Sequence, residues 1–248
     1  MTSAESGIHV VVPTYNEAAN VEPLVAALLD ALPAETRITI VDDASPDGTG
    51  AVADRLAELH AGVDVLHRRG KEGIGPAYVA GFRHALQGDA GLILQMDADF
   101  SHDPAEAPKL VAGCEHADLV LGSRYVDGGR VGEWGRGRLA ISRWGSVYAR
   151  TWLGLDIQDL TGGFKCFRRE VLEAIDLGTV GALGYAFQVE MTYRAVRAGF
   201  RVVEVPIYFH DRRVGESKMS KAIVLEAAWR VPLMRLRAKK RGAADRHA

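Results

Sequence analysis

Cysteine is scarce in this chain. Cys114 and Cys166 are the only two among 248 residues, which supports neither a disulfide framework nor a structural zinc motif and fits a reducing, cytoplasmic setting. Long apolar runs are missing as well. No uninterrupted stretch approaches the roughly 20 residues a membrane-spanning helix needs, and Met1 to Gly7 has no basic segment followed by an apolar core, so no secretory signal is expected there. Two glycine signatures are absent: no Gly-x-Gly-x-x-Gly follows the first predicted strand and no Walker A motif occurs, which disfavours classical dinucleotide and P-loop sites. Low-complexity tracts and internal repeats are lacking too, and nothing points to nucleic acid as a partner.

What is present is ordinary in amount and uneven in distribution. A hydrophobic fraction of 48% with 25% charged residues describes a globular chain able to bury a sizeable core, and the length suits one large α/β domain. The net charge of −2 conceals a division: residues 1–110 hold 7 Lys+Arg against 17 Asp+Glu, a balance of −10, leaving +8 for residues 111–248. Such a split implies a second half that meets something anionic, or a set of solvated basic helices.

Ile8 to Val12 is a β-rich run closed by Pro13, followed by Thr14-Tyr15-Asn16-Glu17 and then by helical spacing at Val21, Leu24, Val25, Leu28 and Leu29. The unit repeats. Ile38 to Val41 runs into Asp42-Asp43-Ala44-Ser45-Pro46-Asp47-Gly48-Thr49 and a helix with Val52, Leu56 and Leu59; Val63 to Leu66 and a helix from Ile74 to Leu86 follow. Alternation of this kind predicts a mostly parallel, doubly wound sheet with right-handed crossovers. The fourth strand, Gly91 to Met96, ends in Asp97-Ala98-Asp99-Phe100-Ser101-His102. Strands one, two and four then deliver Tyr15, Glu17, Asp42, Asp43, Asp97 and Asp99 to one carboxyl edge, where such folds bind ligands. Carboxylates gathered there repel unless cations or donors compensate them, so a divalent cation with a ligand is expected; Mg²⁺ or Mn²⁺ needs only one or two protein carboxylates, completing its shell with phosphates and water. A helix is predicted from Pro104 to Val111 and a fifth strand at Asp118–Gly122.

The second half reads less cleanly. The glycine-rich segment from Val126 to Gly137 is predicted to be a mobile loop, and Arg136, Arg138 and Arg143 flank or enter an amphipathic helix with Leu139, Ile141, Trp144, Val147 and Trp152. Arginines near such a loop suit phosphate recognition, or else form a solvent-facing stripe. Asp159-Leu160-Thr161-Gly162-Gly163-Phe164-Lys165-Cys166-Phe167 is expected to be a compact turn before a helix from Arg169 to Ile175. A helix from Tyr185 to Ala198 and one strand from Val202 to Phe209 come next. His210 to Lys218 reads as a basic flap, and from Lys221 a helix with Ala222, Leu225, Trp229, Leu233 and Leu236 carries Arg230, Arg235, Arg237, Lys239, Lys240 and Arg241 on its other face and tail. It fits either a membrane-surface helix or a core-packing one with a basic tail.

Taken in order, Pro13-Thr14-Tyr15-Asn16-Glu17, Val41 to Thr49, Asp97-Ala98-Asp99, Gly122-Ser123-Arg124-Tyr125, Thr161-Gly162-Gly163-Phe164 and Gly215-Glu216-Ser217-Lys218 resemble the dolichol-phosphate (polyprenol-phosphate) mannose synthases, inverting family 2 glycosyltransferases of GT-A fold. The resemblance implies a single GT-A domain over 1–218, with 1–7 disordered, and an amphipathic helix and basic tail over 219–248. It implies mannose transfer from GDP-mannose to a polyprenyl monophosphate. The nucleotide sugar would be held by Pro13, Tyr15, Glu17, Val41, Asp42, Asp43, Asp97, Ala98, Asp99, Arg124, Arg212 and Lys218, and the acceptor phosphate by Arg124, Arg138 and Ser142. The metal would sit on Asp97 and Asp99, with Ser101 where some relatives have a glutamine ligand. Asp97, Asp99 and Arg124 would carry catalysis. Relatives of one subtype bear C-terminal membrane spans, so this chain is expected to bind the cytoplasmic face of the membrane peripherally or through a separate anchoring protein. Two alternatives stand beside this: the same fold using UDP-glucose, and an inactive membrane-surface binding module.

Overall fold

The computed structural model describes residues 7–182, 184–211 and 229–236. Its first half follows the expected alternation: β1 (Ile8–Thr14), α1 (Ala18–Ala31), β2 (Arg37–Asp42), α2 (Thr49–Leu59), β3 (Val63–His67), α3 (Ile74–Ala85), β4 (Leu92–Gln95), then a 3₁₀ turn at Pro104–Glu106 leading into α4 (Ala107–Gly113), and β5 (Leu119–Ser123). After these come β6 (Arg130–Val131), α5 (Arg136–Leu153), β7 (Lys165–Arg168), α6 (Arg169–Ala174), α7 (Tyr185–Arg197), β8 (Val202–Pro206) and β9 (Tyr208–Phe209).

Seven strands form one sheet in the order β3-β2-β1-β4-β7-β5-β8, in which β7 alone runs against its neighbours. From β1 the chain winds outward through β2 and β3, then returns to place β4 on the other side of β1. That reversal leaves a crevice at the carboxyl ends of β1 and β4. Strand periodicity sends alternate residues to opposite faces. Val10, Val12, Ile38, Ile40 and Leu94 pack with Leu24 and Leu28 of α1, Leu56 of α2 and Leu110 of α4; Val11, Val41 and Ile93 pack with Tyr78 and Phe82 of α3 and Phe187 of α7. The sheet is covered on both faces, which is why its central strands read as continuous apolar runs.

Two sequence expectations are corrected. The segment from Asp159 to Phe167 is more than a turn, because its last residues form β7 between β4 and β5, with Gln95 opposite Lys165 and Leu121 opposite the same lysine. The predicted strand Val202 to Phe209 is two strands in two sheets. β8 pairs with β5, Ile207 turns its side chain into the core, and β9 pairs with β6 in a separate two-stranded sheet. The glycine-rich segment therefore contains a strand. Residues 229–236 are helical, with Val231 buried in the α7-side core, Trp229 and Leu236 exposed, and Arg235 donating to the carbonyl of Trp152 at 2.7 Å.

Candidate active site

Three turns build the crevice, and each contains a residue other than glycine in the left-handed region: Asn16 at φ 59°, Ala44 at φ 55° and Phe100 at φ 58° follow β1, β2 and β4. Such conformations cost on the order of 1–3 kcal/mol each and persist where surrounding contacts enforce them. Here those contacts are visible. The β2 turn receives the start of α1, with Asn16 N–H donating to Ser45 Oγ (3.1 Å), Glu17 N–H to Thr49 Oγ1 (2.9 Å) and Ala18 N–H to Asp47 Oδ2 (3.1 Å). Burial raises the Asp47 pKa, but hydrogen bonds from Thr49 and Ala18 outweigh it and hold the carboxyl below its ordinary value.

The adjacent acids of β2 serve different ends. Asp42 is consumed locally, accepting from Ser45 N–H (3.1 Å), Ser45 Oγ (2.5 Å) and Thr14 Oγ1 (3.2 Å). Asp43, also buried, meets Arg68 Nη1 at 2.5 Å, and burial outweighs that guanidinium to raise its pKa. Arg68 also pairs with Glu72, and Lys71 stands 4.0 Å over the Tyr15 ring, so the segment between β3 and α3 covers the β1 and β2 turns. Pro13 and Val41 are opposite each other in the β1–β2 register. Glu17 is buried and accepts from Asn20 Nδ2 at 2.8 Å. The predicted nucleotide residues of the first half are thus brought to one edge.

Beyond β4, Asp97 accepts the Tyr78 hydroxyl at 2.5 Å, while a Cβ on Gly163 would stand 3.0 Å from Asp97 Oδ2. Glycine is required there by close approach. Burial, followed by the Asp97 charge, drives the Tyr78 pKa well above 10, so Tyr78 remains a donor. Ala98 and Asp99 are buried, and Asp99 Oδ1 accepts from Ser101 N–H at 3.0 Å. Beneath them Gln95 donates to the Gly163 carbonyl (2.9 Å) and Gln188 Oε1 (2.7 Å), and Lys165 donates to the Gln188 carbonyl (2.6 Å) and Thr192 Oγ1 (2.9 Å). Burial lowers the Lys165 pKa to about 7 against the pull of Asp159 and Asp97. Among the described residues no three His, Cys, Asp or Glu side chains are gathered as a ready-made metal cage. Two hard carboxylates on one strand end nevertheless match Mg²⁺ or Mn²⁺, which take further ligands from phosphate and water.

Arg124 follows β5, buried, in a bidentate pair with Asp159: Nε to Oδ2 and Nη2 to Oδ1, both 2.6 Å, with Nη2 also donating to Thr161 Oγ1 at 2.8 Å. Desolvation pushes the Asp159 carboxyl up, yet the Arg124 guanidinium wins and holds it below the usual range. Three aromatic rings surround the guanidinium, Tyr125 at 5.1 Å, Phe209 at 5.2 Å and Trp134 at 5.7 Å. Tyr125 Oη donates to Ser142 Oγ at 2.7 Å, so Tyr125, which is not itself among the predicted acceptor residues, links Arg124 to Ser142. Arg138 falls in the first turn of α5, with its side chain outside the description; Arg212 and Lys218 lie outside the described residues altogether. Sequence reasoning gave no role to Tyr78, Arg68, Lys71, Asp159 or His102. Asp159, three residues before the glycine pair, and His102, at the end of the stretch that follows the fourth strand, stood in motifs already singled out, but neither was given a role.

His102 is wedged beside this site, stacked on Phe164 at 5.1 Å and edge-on to Phe209 at 5.2 Å. Burial lowers its pKa, keeping the ring neutral.

The chain is similar to proteins already known. An undecaprenyl-phosphate mannosyltransferase of Micrococcus luteus is 47% identical over 232 residues, covering 94% of this chain and 95% of its own. A polyprenol monophosphomannose synthase of Mycolicibacterium smegmatis is 47% identical over 224 residues, covering 90% and 84%. The solved structure of Mycobacterium tuberculosis glucosyl-3-phosphoglycerate synthase with Mn²⁺, UDP and glucosyl-3-phosphoglycerate superposes with TM-score 0.67 at 19% identity, covering 95% of this chain and 81% of that one. The same enzyme with Mg²⁺ and UDP gives 0.66 at 20% identity, covering 92% and 80%. These two share the GT-A fold with the present chain. The model of the family described as "Glycosyl transferase family 2" matches residues 9–176, and with these relatives it shows that the chain belongs to that family.

Proposed function

We propose that the protein transfers mannose from GDP-mannose to a polyprenyl monophosphate with inversion, using a catalytic unit that spans residues 1–218. The observation that carries this reading is that the Gly162-Gly163 pair lies against both groups: a Cβ on Gly163 would stand 3.0 Å from Asp97 Oδ2 and one on Gly162 3.7 Å from the carboxyl of Asp159, the partner of Arg124. Relatives bearing polyprenyl-phosphate mannosyltransferase names, at 47% identity over most of the chain, support the substrate class.

An acceptor phosphate is already an anionic nucleophile, so no strong base is needed. One of its oxygens forms the new bond to the sugar's anomeric carbon as the bond to the diphosphate breaks, and the electron pair leaves with GDP. Attack opposite the leaving group gives a β-mannosyl phosphate. Asp97 and Asp99 would hold Mg²⁺ or Mn²⁺, with Ser101 as a third contact or its place left to water, and the cation would supply charge neutralisation for the departing diphosphate. Tyr78 fixes the Asp97 carboxylate. Asp43, set by Arg68, and Tyr15 receive the guanosine with Pro13, Glu17 and Val41, while Asp42 shapes the turn beneath it. Arg124, aimed by Asp159, and Ser142 receive the acceptor phosphate with Arg138; Arg212 and Lys218 close on the diphosphate.

The acceptor's lipid tail needs an apolar surface nearby. On α5, Ile141, Trp144, Val147 and Trp152 are exposed, and Trp144 stacks on Tyr148 at 5.3 Å. Arg143 and Arg150 lie on the same helix, a composition suited to an interface between acyl chains and anionic headgroups. We place this face, with the helix at 229–236, against the cytoplasmic surface of the membrane, alone or beside an anchoring protein. Among the described residues no helix is long and apolar enough to cross a membrane.

The test is incubation with a polyprenyl phosphate, Mn²⁺ and labelled GDP-mannose or UDP-glucose. Label is expected in lipid from GDP-mannose. Incorporation from UDP-glucose alone would overturn the donor, and no incorporation from either would favour an inactive surface-binding module.

A further inference from the structure

His102 is a buried polar side chain, 1% exposed, and among the described residues neither of its ring nitrogens has a hydrogen-bond partner. A native interior seldom tolerates this. Leaving a buried donor or acceptor unmet costs about 1–3 kcal/mol, and an imidazole has one of each. The packing around His102 would suit a plain aromatic ring, since Phe164 covers one face and Phe209 presents its edge to it. Histidine at this position is therefore unexplained by stability.

Its location supplies the explanation. His102 lies three residues beyond Asp99 on the segment that leaves β4, and the charges acting on its ring are those of Asp97, Asp99, Arg124 and Asp159. The carboxylates proposed for the metal and diphosphate and the guanidinium proposed for the acceptor thus both lie near the ring. Its backbone bridges to Phe209, and His210 N–H donates to the Ser101 carbonyl at 2.9 Å, so the ring is tied to β9. β9 is two residues long and stands outside the main sheet; among the described residues it pairs with β6 and bridges to His102. Phe164 covers one face of the imidazole, and the rest of its described aromatic cover is Phe209 on this short element, so a small shift of Phe209 would expose the ring.

We infer that His102 is a substrate-binding residue whose ring N–H donates to a phosphate oxygen, at the junction between the donor's diphosphate and the acceptor's monophosphate. This rests on the glycosyltransferase reading above and adds a residue to that site. Three other features are less able to carry an inference. Lys165 already has two buried acceptors, the thiol of Cys114 donates to the Cys166 carbonyl, and the cluster of His9, Thr39, Asp64 and His84, in which His9 Nδ1 alone is unmet among the described residues, starts from the amino end of β1, away from the crevice.

The experiment compares the full-length wild type with His102→Phe and His102→Gln. His102→Phe keeps the stacking on Phe164 while deleting both nitrogens, so it is expected to fold and to melt at or above the wild-type temperature. Affinity for GDP with Mn²⁺ is read by calorimetry and KM for a short-chain polyprenyl phosphate by label transfer. One of the two is expected to weaken by about ten- to a hundredfold in His102→Phe, the loss of one hydrogen bond to a charged group. His102→Gln, which restores an N–H, should recover part of it. Weakened GDP·Mn²⁺ binding assigns the oxygen to the diphosphate; a raised KM for the lipid phosphate with unchanged GDP binding assigns it to the acceptor. Unchanged values in a folded His102→Phe would overturn the inference, whereas failure of the wild type itself to bind GDP·Mn²⁺ or transfer mannose would instead sink the functional reading.

Discussion

Arg124 and Asp159 stand in separate motifs of the sequence, 35 positions apart, and nothing there announces that they pair. In the fold they form a desolvated, two-pronged pair, with the Asp159 side chain fully buried. Removing one partner of such a pair strands the other, at a cost of about 3–5 kcal/mol. Asp159→Ala is expected to lose that much in urea unfolding and, where still folded, to raise KM for the lipid phosphate. The pH behaviour has a definite sign. Because Arg124 holds the Asp159 pKa below its unfolded value, the stabilisation is complete above the unfolded carboxylate range near pH 4 and is lost as pH falls through the folded value. His9 contributes at a higher pH. Burial lowers its pKa from 6.5 to about 4, so the unfolded chain binds the extra proton first, and stability should fall by about 3 kcal/mol between pH 6.5 and 4. Unfolding at pH 7 and pH 4.5 measures this, and a His9→Gln variant should show a flatter profile across that interval. The Asp-x-Asp pair was readable because two carboxylates follow an apolar run. The left-handed Asn16, Ala44 and Phe100 were not, since nothing in an alanine announces a positive φ imposed by neighbouring turns.

At the scale of elements, apolar runs disclosed β1, β2, β4 and β5 because the sheet is buried on both faces. β7 escaped for the opposite reason. Its four residues include Lys165 and Arg168, and a fully buried lysine reads as a loop residue until Gln188 and Thr192 are seen to accept from it. The break at Ile207 was invisible because β8 and β9 have the same strand-like composition and differ only in which sheet they join. Packing of α3 on the sheet depends on a residue that periodicity undervalues. A Cβ on Gly81 would lie 2.3 Å from Val11 Cγ1 and 3.0 Å from Val41 Cγ2. Both neighbours are β-branched residues in central strands, with little freedom to yield. Gly81→Ala, which in an exposed helix would be stabilising, is here expected to cost roughly 1–3 kcal/mol through overpacking, read as a lower urea midpoint with unchanged slope.

Across the whole molecule, the charge division visible in composition has a spatial counterpart. Residues 1–110 supply the acidic crevice at β1, β2 and β4, and residues 111–248, with a surplus of +8, supply Arg124, α5 and the C-terminal basic segment. A site acidic throughout would hold a cation and repel a lipid phosphate; a basic one would draw the membrane and lose the metal. In the proposed function, separation of the two would let one edge of the sheet serve both. It follows that vesicle binding and metal binding should be separable. On phosphatidylglycerol-containing vesicles, Trp144→Glu with Trp152→Glu is expected to abolish sedimentation while leaving GDP·Mn²⁺ affinity within about twofold, because the exposed face of α5 is then charged but the β1/β4 crevice is untouched. Raising salt from about 0.05 to 0.5 M should weaken wild-type sedimentation steeply, since each basic residue near an anionic surface contributes about 1 kcal/mol that screening removes. If the double variant sedimented like the wild type at both salt concentrations, α5 would not be the lipid-facing element, and the apolar contact would have to come from elsewhere in the basic half.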